Sequence, residues 1–249
     1  MKKLVTVLLT VLLVLGLAAC NKQQPTPEPE VDIHAKGEGV MTYADYSAAA
    51  EETEVTVEFF VQGKQSFWEN SVTIYGQDKD GGYFVYGMPC TQEEYDKLTV
   101  GTKLKVKGYK TSWAGEVEII DATFEIEEGN WVAEATDVTS LLGTDGLLAH
   151  KDKLVSFKGM KVEASIDADG NEKPFLYKWN GTGTQGDDIY FNVSVNGQTY
   201  QFTVETNLCD STTDVYKAAE ALSIGDTVNL EGFLYWYEGP NPHITKISK

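Results

Sequence analysis

The sequence predicts an all-β protein with short helices, folded as two tandem five-stranded barrels behind an export leader and a flexible linker. Three observations carry this. Apolar and polar residues alternate along several short stretches, the two-residue period of a half-buried strand, and no long stretch keeps a helical period. A series of strands broken by one short helix occurs twice. Glycines and apolar residues recur at matching places in the two copies, 124 residues apart.

The first copy opens on Thr42, which with Asp45 forms a capping-box-like start for a short helix through Tyr43 and Tyr46. Val55, Val57, Phe59 and Val61 then alternate with Thr56, Glu58 and Gln62, as in a first strand. Val72 to Tyr75 and Tyr83 to Tyr86 flank Gln77-Asp78-Lys79-Asp80-Gly81-Gly82, whose composition signals a hairpin turn. Thr91 caps a helix through Glu94, running to about Leu98. Strands over Lys103 to Lys110 and Glu116 to Ile126 complete the copy.

The second copy repeats that order. Leu154 to Val162 is its first strand, and Ile189 to Val195 and Thr199 to Val204 flank Asn196-Gly197, a dipeptide suited to a tight hairpin. Ser211 with Asp214 is the expected cap of its helix. Leu98-Thr99-Val100-Gly101 matches Leu222-Ser223-Ile224-Gly225. Without gaps the same offset pairs Leu104 with Val228, Val106 with Leu230, Gly108 with Gly232, Tyr109 with Phe233, Gly115 with Gly239 and Ile120 with Ile244. A longer insertion, Asp167 to Asp188, distinguishes the second copy. The expected domains are therefore 41–130 and 131–249.

Three strands, a helix and two strands is the order of the OB-fold, where the helix plugs one end of a five-stranded barrel. Gln77-Asp78 through Gly81-Gly82, then Tyr83-Phe84-Val85-Tyr86 and Val100-Gly101 through Val106-Lys107-Gly108, resemble the OB-fold domains of exported bacterial proteins. Tandem OB-like lipoproteins of gut Firmicutes are similar. The resemblance implies a fold and an exported address for roughly residues 42 to 249, and no particular activity, because this fold hosts many unrelated binding roles.

The start of the chain has the parts of an export signal over 1–19. Lys2 and Lys3 precede an apolar run from Leu4 to Leu17, too short for an ordinary membrane span, which needs about 20 residues. Leu17-Ala18-Ala19-Cys20 resembles the lipobox of bacterial lipoproteins. That resemblance implies cleavage before Cys20, diacylglycerol on its sulfur and further acylation, of the palmitate kind, at the new amino terminus. A membrane contact through lipid on Cys20 is thus expected, since two or more acyl chains anchor stably where one does not. The chain would sit on the extracytoplasmic face of a cell membrane, or on an outer membrane if the cell has one. Residues 20–40, with Pro25-Thr26-Pro27-Glu28-Pro29-Glu30 at their centre, read as a spacer that cannot bury a core, and structure is expected from near Thr42.

The formal net charge is −18, and loss of Lys2 and Lys3 with a leader would lower it by two more. So acidic a surface repels phosphate backbones, which makes nucleic acid an unlikely partner. Lys103, Lys105 and Lys107 share one strand face and would suit single-stranded nucleic acid. Pairing with Glu116 and Glu118 on the next strand is the simpler expectation, and the second copy has Thr227, Asn229 and Glu231 in their place. Cys90 and Cys209 could form a disulfide in an exported chain, but each precedes a predicted helix in a separate domain, so buried free thiols are the first expectation. His34, His150 and His243 lie far apart. Asp78 to Gly81 and Asp167 to Glu172 gather carboxylates near glycine but lack the spaced ligands of a calcium loop. No nucleophile elbow, zinc motif or phosphate loop occurs, so no cofactor, metal or enzymatic chemistry is expected.

A glycan or protein ligand fits better. Trp68, Trp113, Trp179, Tyr235, Trp236 and Tyr237 fall in or beside predicted loops and the turn between strands four and five. OB-folds bind through such loops, and aromatic faces stack on sugar rings. Packing over the barrel ends would use the same residues. The sequence-based reading is a non-enzymatic binding or interaction module; its alternatives are a structural subunit of an envelope assembly without a small ligand, and a binder of single-stranded nucleic acid.

Overall fold

The computed structural model describes residues 32–249; Cys20, the leader and most of the linker lie outside the described residues. Two barrels and short helices form one compact unit from Ile33 onward. In the first barrel, β1 (Glu54–Lys64), β2 (Ser71–Gln77), β3 (Gly82–Pro89), β4 (Thr102–Trp113) and β5 (Glu116–Asn130) close in the order β1-β2-β3-β5-β4. Inward residues of the alternating strands, among them Val57, Phe59, Ile74, Val85, Leu104 and Ile119, make its core. Helix α1 (Tyr43–Ala48) precedes β1 and lowers Tyr46 into that core, while α2 (Gln92–Lys97) joins β3 to β4 behind a complete Thr91–Glu94 capping box.

The second barrel repeats the topology with β6 (Leu154–Glu163), β7 (Ile189–Val195), β8 (Gln198–Val204), β9 (Thr227–Phe233) and β10 (His243–Ser248). Its order is β6-β7-β8-β10-β9, closed by pairing of β7 with β6. The Asn196-Gly197 turn has positive φ at both residues, 53° and 79°, which a twisted two-residue hairpin requires. Helix α3 (Asp214–Glu220) is capped by Thr213, not by Ser211: the Thr213 hydroxyl accepts from Tyr216 N–H, and the neighbouring Asp210 carboxylate is taken by Thr212. The repeated glycines have one structural cause. A Cβ at Gly108 would lie 2.7 Å from the Ile120 carbonyl oxygen, and one at Gly232 would lie 2.1 Å from that of His243, where each β4–β5-type pairing shifts register.

Four expectations are corrected or completed. Lys103 and Lys107 do not pair with Glu116 and Glu118. The tight hairpin sets Glu116 opposite Trp113, so Lys103 meets Glu58 at 3.2 Å and Glu127 at 3.6 Å, and Lys107 meets Glu54 at 3.1 Å. Order begins earlier than Thr42. His34 lies edge-on to Phe60 and Trp131, and Lys36 reaches Asp78 at 2.5 Å and the Glu58 carbonyl. A buried carboxylate such as Asp78 requires a counter-charge, and the supposed spacer supplies it. Asp78 also accepts from its own turn, and Asp167 does the same in its loop, so hairpin geometry uses both carboxylates. Cys90 and Cys209 are buried free thiols in different cores, and burial pushes the Cys209 thiol up to about 12.

The barrels meet along an aromatic seam. Tyr75 and Phe84, on the outer face of β2 and β3, are covered by Phe233 and Tyr235 of the second barrel. The Tyr75 and Phe233 rings stack at 4.4 Å, and the Tyr75 hydroxyl meets His243 Nδ1 at 2.8 Å. Polar contacts fringe the seam: Gln65 donates to Glu205 at 3.0 Å, Leu154 N–H to Gln77 at 2.8 Å, and Ser66 N–H to the Asn207 carbonyl at 2.6 Å. Gly82 lets the chain at Asp152 approach, since a Cβ there would stand 2.4 Å from the Asp152 carbonyl carbon.

Candidate functional site

At one end of the seam, the β4–β5 turn of the first barrel meets the β9–β10 connection of the second. Ala114 and Gly115 make the tight turn with φ of 51° and 91°. A Cβ on Gly115 would press to 2.8 Å on the Trp236 indole, so glycine lets that ring lie against the turn. Glu238 N–H donates to the Ala114 carbonyl at 2.7 Å. The Trp113 and Tyr237 rings, which occupy equivalent positions of the two copies, pack at 5.2 Å. They are nevertheless 55% and 46% exposed, so they form a shelf open to solvent rather than the lid of a barrel. Half-buried Trp236 lies beside them under the Lys151 ammonium, 5.0 Å from its ring.

Beneath the shelf lies a buried acid pair. Glu116 is fully buried and accepts from Val117 N–H at 3.1 Å and from Trp236 N–H, across the seam, at 2.7 Å. Its carboxyl also hydrogen bonds to that of Asp152, on a residue held at φ 62°. Two carboxyls in that contact cannot both be ionised. Burial, then the Glu116 charge, holds Asp152 well above the usual carboxylate range, so Asp152 is the acid that donates and Glu116 the anion that accepts. Glu118, two residues along β5, is pushed up to about 7 by burial and by Glu116.

The pair borders a cleft of about 210 Å³ between the barrels, lined by Tyr43, Tyr46, Ser47, Gly82, Lys110, Val117, Leu148, Lys151 and Asp152. Lys110 donates to the carbonyls of Tyr46, Ser47 and Ala49, which ties down the end of α1 and fixes both tyrosines. Burial and the neighbouring Asp152 push Tyr43 up to about 12. A second, open hollow of about 430 Å³ lies where Gln77 to Lys79 face Trp131 to Thr136.

Of the six aromatics the sequence singled out, Trp113, Trp236 and Tyr237 come together here. Tyr235 is a seam residue, stacked on His243 at 4.4 Å. Trp68, 71% exposed, sits in the β1–β2 loop, and Trp179, 66% exposed, in the insertion before β7. Among the described residues, no ring contact joins either to Trp113 or Tyr237. Sequence reasoning did not single out Glu116, Asp152, Tyr43 or Tyr46. One signal was present: the equivalent of Glu116 in the second copy is Pro240, so an acid stands at a turn where the repeat does not require one.

Neither a family model nor a curated protein matches this chain. Solved structures do resemble it. A murine DNA-binding protein bound to double-stranded DNA is 12% identical, covering 78% of this chain and 98% of that one, with a TM-score of 0.35. The HINa domain of Ifi202, in complex with a 20-base-pair double-stranded DNA, is 12% identical over 80% and 96%, also at 0.35. Asparaginyl-tRNA synthetase of Entamoeba histolytica is 16% identical over 40% of this chain and 25% of its own, at 0.30. Likeness of this size carries no argument about the ligand.

Proposed function

We propose that this chain is a lipid-anchored, non-enzymatic binding module that holds an extracytoplasmic glycan at the junction of its two barrels. The observation that carries the reading is the exposed Trp113–Tyr237 pair with Trp236 beside it. These are flat apolar faces next to hydrogen-bonding groups, a pattern that suits sugar rings. Nucleic acid fits less well. Lys103 and Lys107 are taken up in ion pairs with glutamates, no basic track is repeated in the second barrel, and the net charge is −18. The aromatic face of β2 and β3 that could stack on bases is covered by the second barrel.

A glycan array probed with the full chain tests the reading. Binding should be lost in a Trp113→Ala, Trp236→Ala double variant that keeps its circular dichroism spectrum. Salt-sensitive binding of single-stranded DNA, weakened by neutralising Lys103 and Lys107, would favour the nucleic-acid reading instead. Recovery of one envelope complex with no glycan bound would favour a structural subunit. The anchor is part of the proposal: intact-mass analysis should find a mature chain beginning at Cys20 and carrying acyl chains, and an unlipidated amino terminus would refute it.

A further inference from the structure

We infer that the Glu116–Asp152 pair is a proton-operated clasp on the aromatic shelf. With one proton between them the two carboxyls hold the halves of the shelf together, and loss of that proton lets the halves part. The inference takes its ligand from the glycan reading and adds how that binding is regulated; the clasp itself needs no ligand. Its basis is where the pair is attached. Glu116 follows Trp113 around the β4–β5 turn of the first barrel. Its oxygens accept from opposite sides of the joint, Oε1 from Val117 N–H at 3.1 Å and Oε2 from Trp236 N–H at 2.7 Å. Asp152 is fastened to the second barrel. Its N–H donates to the Leu234 carbonyl at 3.1 Å, and Leu234 N–H returns a bond to the Lys153 carbonyl at 3.1 Å. Leu234 leads into Trp236 and Tyr237. Glu116 therefore grips the shelf's second half twice, through the Trp236 backbone and through the Asp152 carboxyl. Both acids are buried, so water does not replace a lost partner.

The proton belongs to Asp152, since Glu116 uses both oxygens as acceptors, as suits the anion. Without it, two anions would face each other inside the joint. Their surroundings do not offset them. Glu118 on β5 adds a third carboxylate. Tyr43 and Tyr46 from α1, and Tyr235 from the β9–β10 connection, are held neutral by burial and by these same acids. Lys110 donates to the α1 carbonyls and Lys153 to the Asp80 carbonyl, which leaves Lys151, itself turned to the Gly115 carbonyl. Burial and the Glu116 charge raise Asp152 above its unfolded value, so what it contributes is present in acid and lost as pH rises through the folded value. The clasp is shut at low pH and opens at high pH. The Tyr75–Phe233 stack does not involve the pair, so the release is confined to the shelf.

NMR of the full chain in detergent, with isotope-labelled tryptophan, tests this without a ligand. The Trp236 backbone amide should shift as pH rises from about 5 to about 9, because its acceptor is the clasp carboxylate. Asp152→Asn keeps a donor to Glu116 and suits the left-handed backbone. Its Trp236 amide should stay fixed over that range. Glu118→Gln should keep the shift and move it to lower pH, since only a neighbouring charge is lost. On the glycan array, wild-type binding should weaken by up to roughly tenfold per pH unit, the limit for one proton, and Asp152→Asn binding should not change. A Trp236 amide that stays fixed in the wild type, or shifts equally in Asp152→Asn, would overturn the clasp. So would wild-type glycan binding of constant strength across the range. If the amide follows Asp152 and no glycan binds at any pH, the clasp stands and the glycan reading falls.

Discussion

The two barrels share a strand order but use the face of their second and third strands differently. In the first, Tyr75 and Phe84 point outward and are sealed under Phe233, Tyr235 and His243. In the second, the outward residues of β7 and β8 include Tyr190, Asn192, Ser194, Thr199 and Gln201, all partly or fully exposed, and only Thr203 at the end of the face is buried, bonded to Asn241. Side-chain chemistry decides this. Aromatic rings on an outer face gain by leaving water, whereas amides and hydroxyls gain little. The two barrels therefore share a frame, and the side chains on one face make it a joint. The joint in turn assembles the buried acid pair, because Glu116 comes from the first barrel and Asp152 from the segment that leads into the second.

The largest expected effect lies at the joint. Phe233→Ala should cost about 3–5 kcal/mol in urea unfolding, the range for emptying a packed phenylalanine site. Its repeat equivalent Tyr109 is 44% exposed, and Tyr109→Ala should cost less than about 1 kcal/mol as an ordinary surface change. Equal costs would break the comparison. Next comes Lys103, which compensates the buried Glu58. Lys103→Met should cost about 3 kcal/mol by stranding that charge, whereas Lys107→Ala, in an exposed pair, should stay under about 1 kcal/mol. The second barrel has Thr227 at the position of Lys103, so this dependence belongs to the first alone.

Proton linkage sharpens the comparison further. Burial takes His243 down to about 3, below its unfolded value, so only the unfolded chain gains that proton. Stability from this group falls by about 1.4 kcal/mol per unit as pH drops from 6.5 towards 3. Glu118 and Glu205 go the other way. Burial raises both to about 7, so the folded state keeps protons that the unfolded state releases above 4.5, and stability falls as pH rises from 4.5 to 7. Asp152, held well above the usual carboxylate range, adds to them, so the raised acids outweigh His243. The urea midpoint should therefore decline between pH 4.5 and 6.5, and Glu118→Gln with Glu205→Gln should flatten the decline. A midpoint flat in both proteins would refute the linkage. The smallest effect is on the open face, where Gln201→Ala should change stability by no more than about 0.5 kcal/mol.

Much of the fold was legible because local chemistry dictates it. The alternation from Val55 to Val61, the Thr91–Glu94 box, the Asn196-Gly197 turn and the paired Gly108 and Gly232 each specify their own geometry. The exceptions have local causes too. Ser211 and Thr213 are both plausible caps by type, and the Asp210 turn settles on Thr213. Residues 33–40 look like spacer by composition, yet Lys36 is recruited by a carboxylate more than forty positions away. The site was half legible. Trp113, Trp236 and Tyr237 stood out as loop aromatics, but whether they would be lids or a shelf depended on how the barrels dock. Glu116 and Asp152 could not be paired in advance, since no periodicity links a β-turn in one barrel to a left-handed residue before the other.

A crystal structure of the full chain with the best-binding array glycan would test the account most directly. The account predicts a sugar ring over Trp113 and Tyr237, with Trp236 beside it. A glycan seated instead on Tyr190, Asn192 and Gln201 of the second barrel would contradict it.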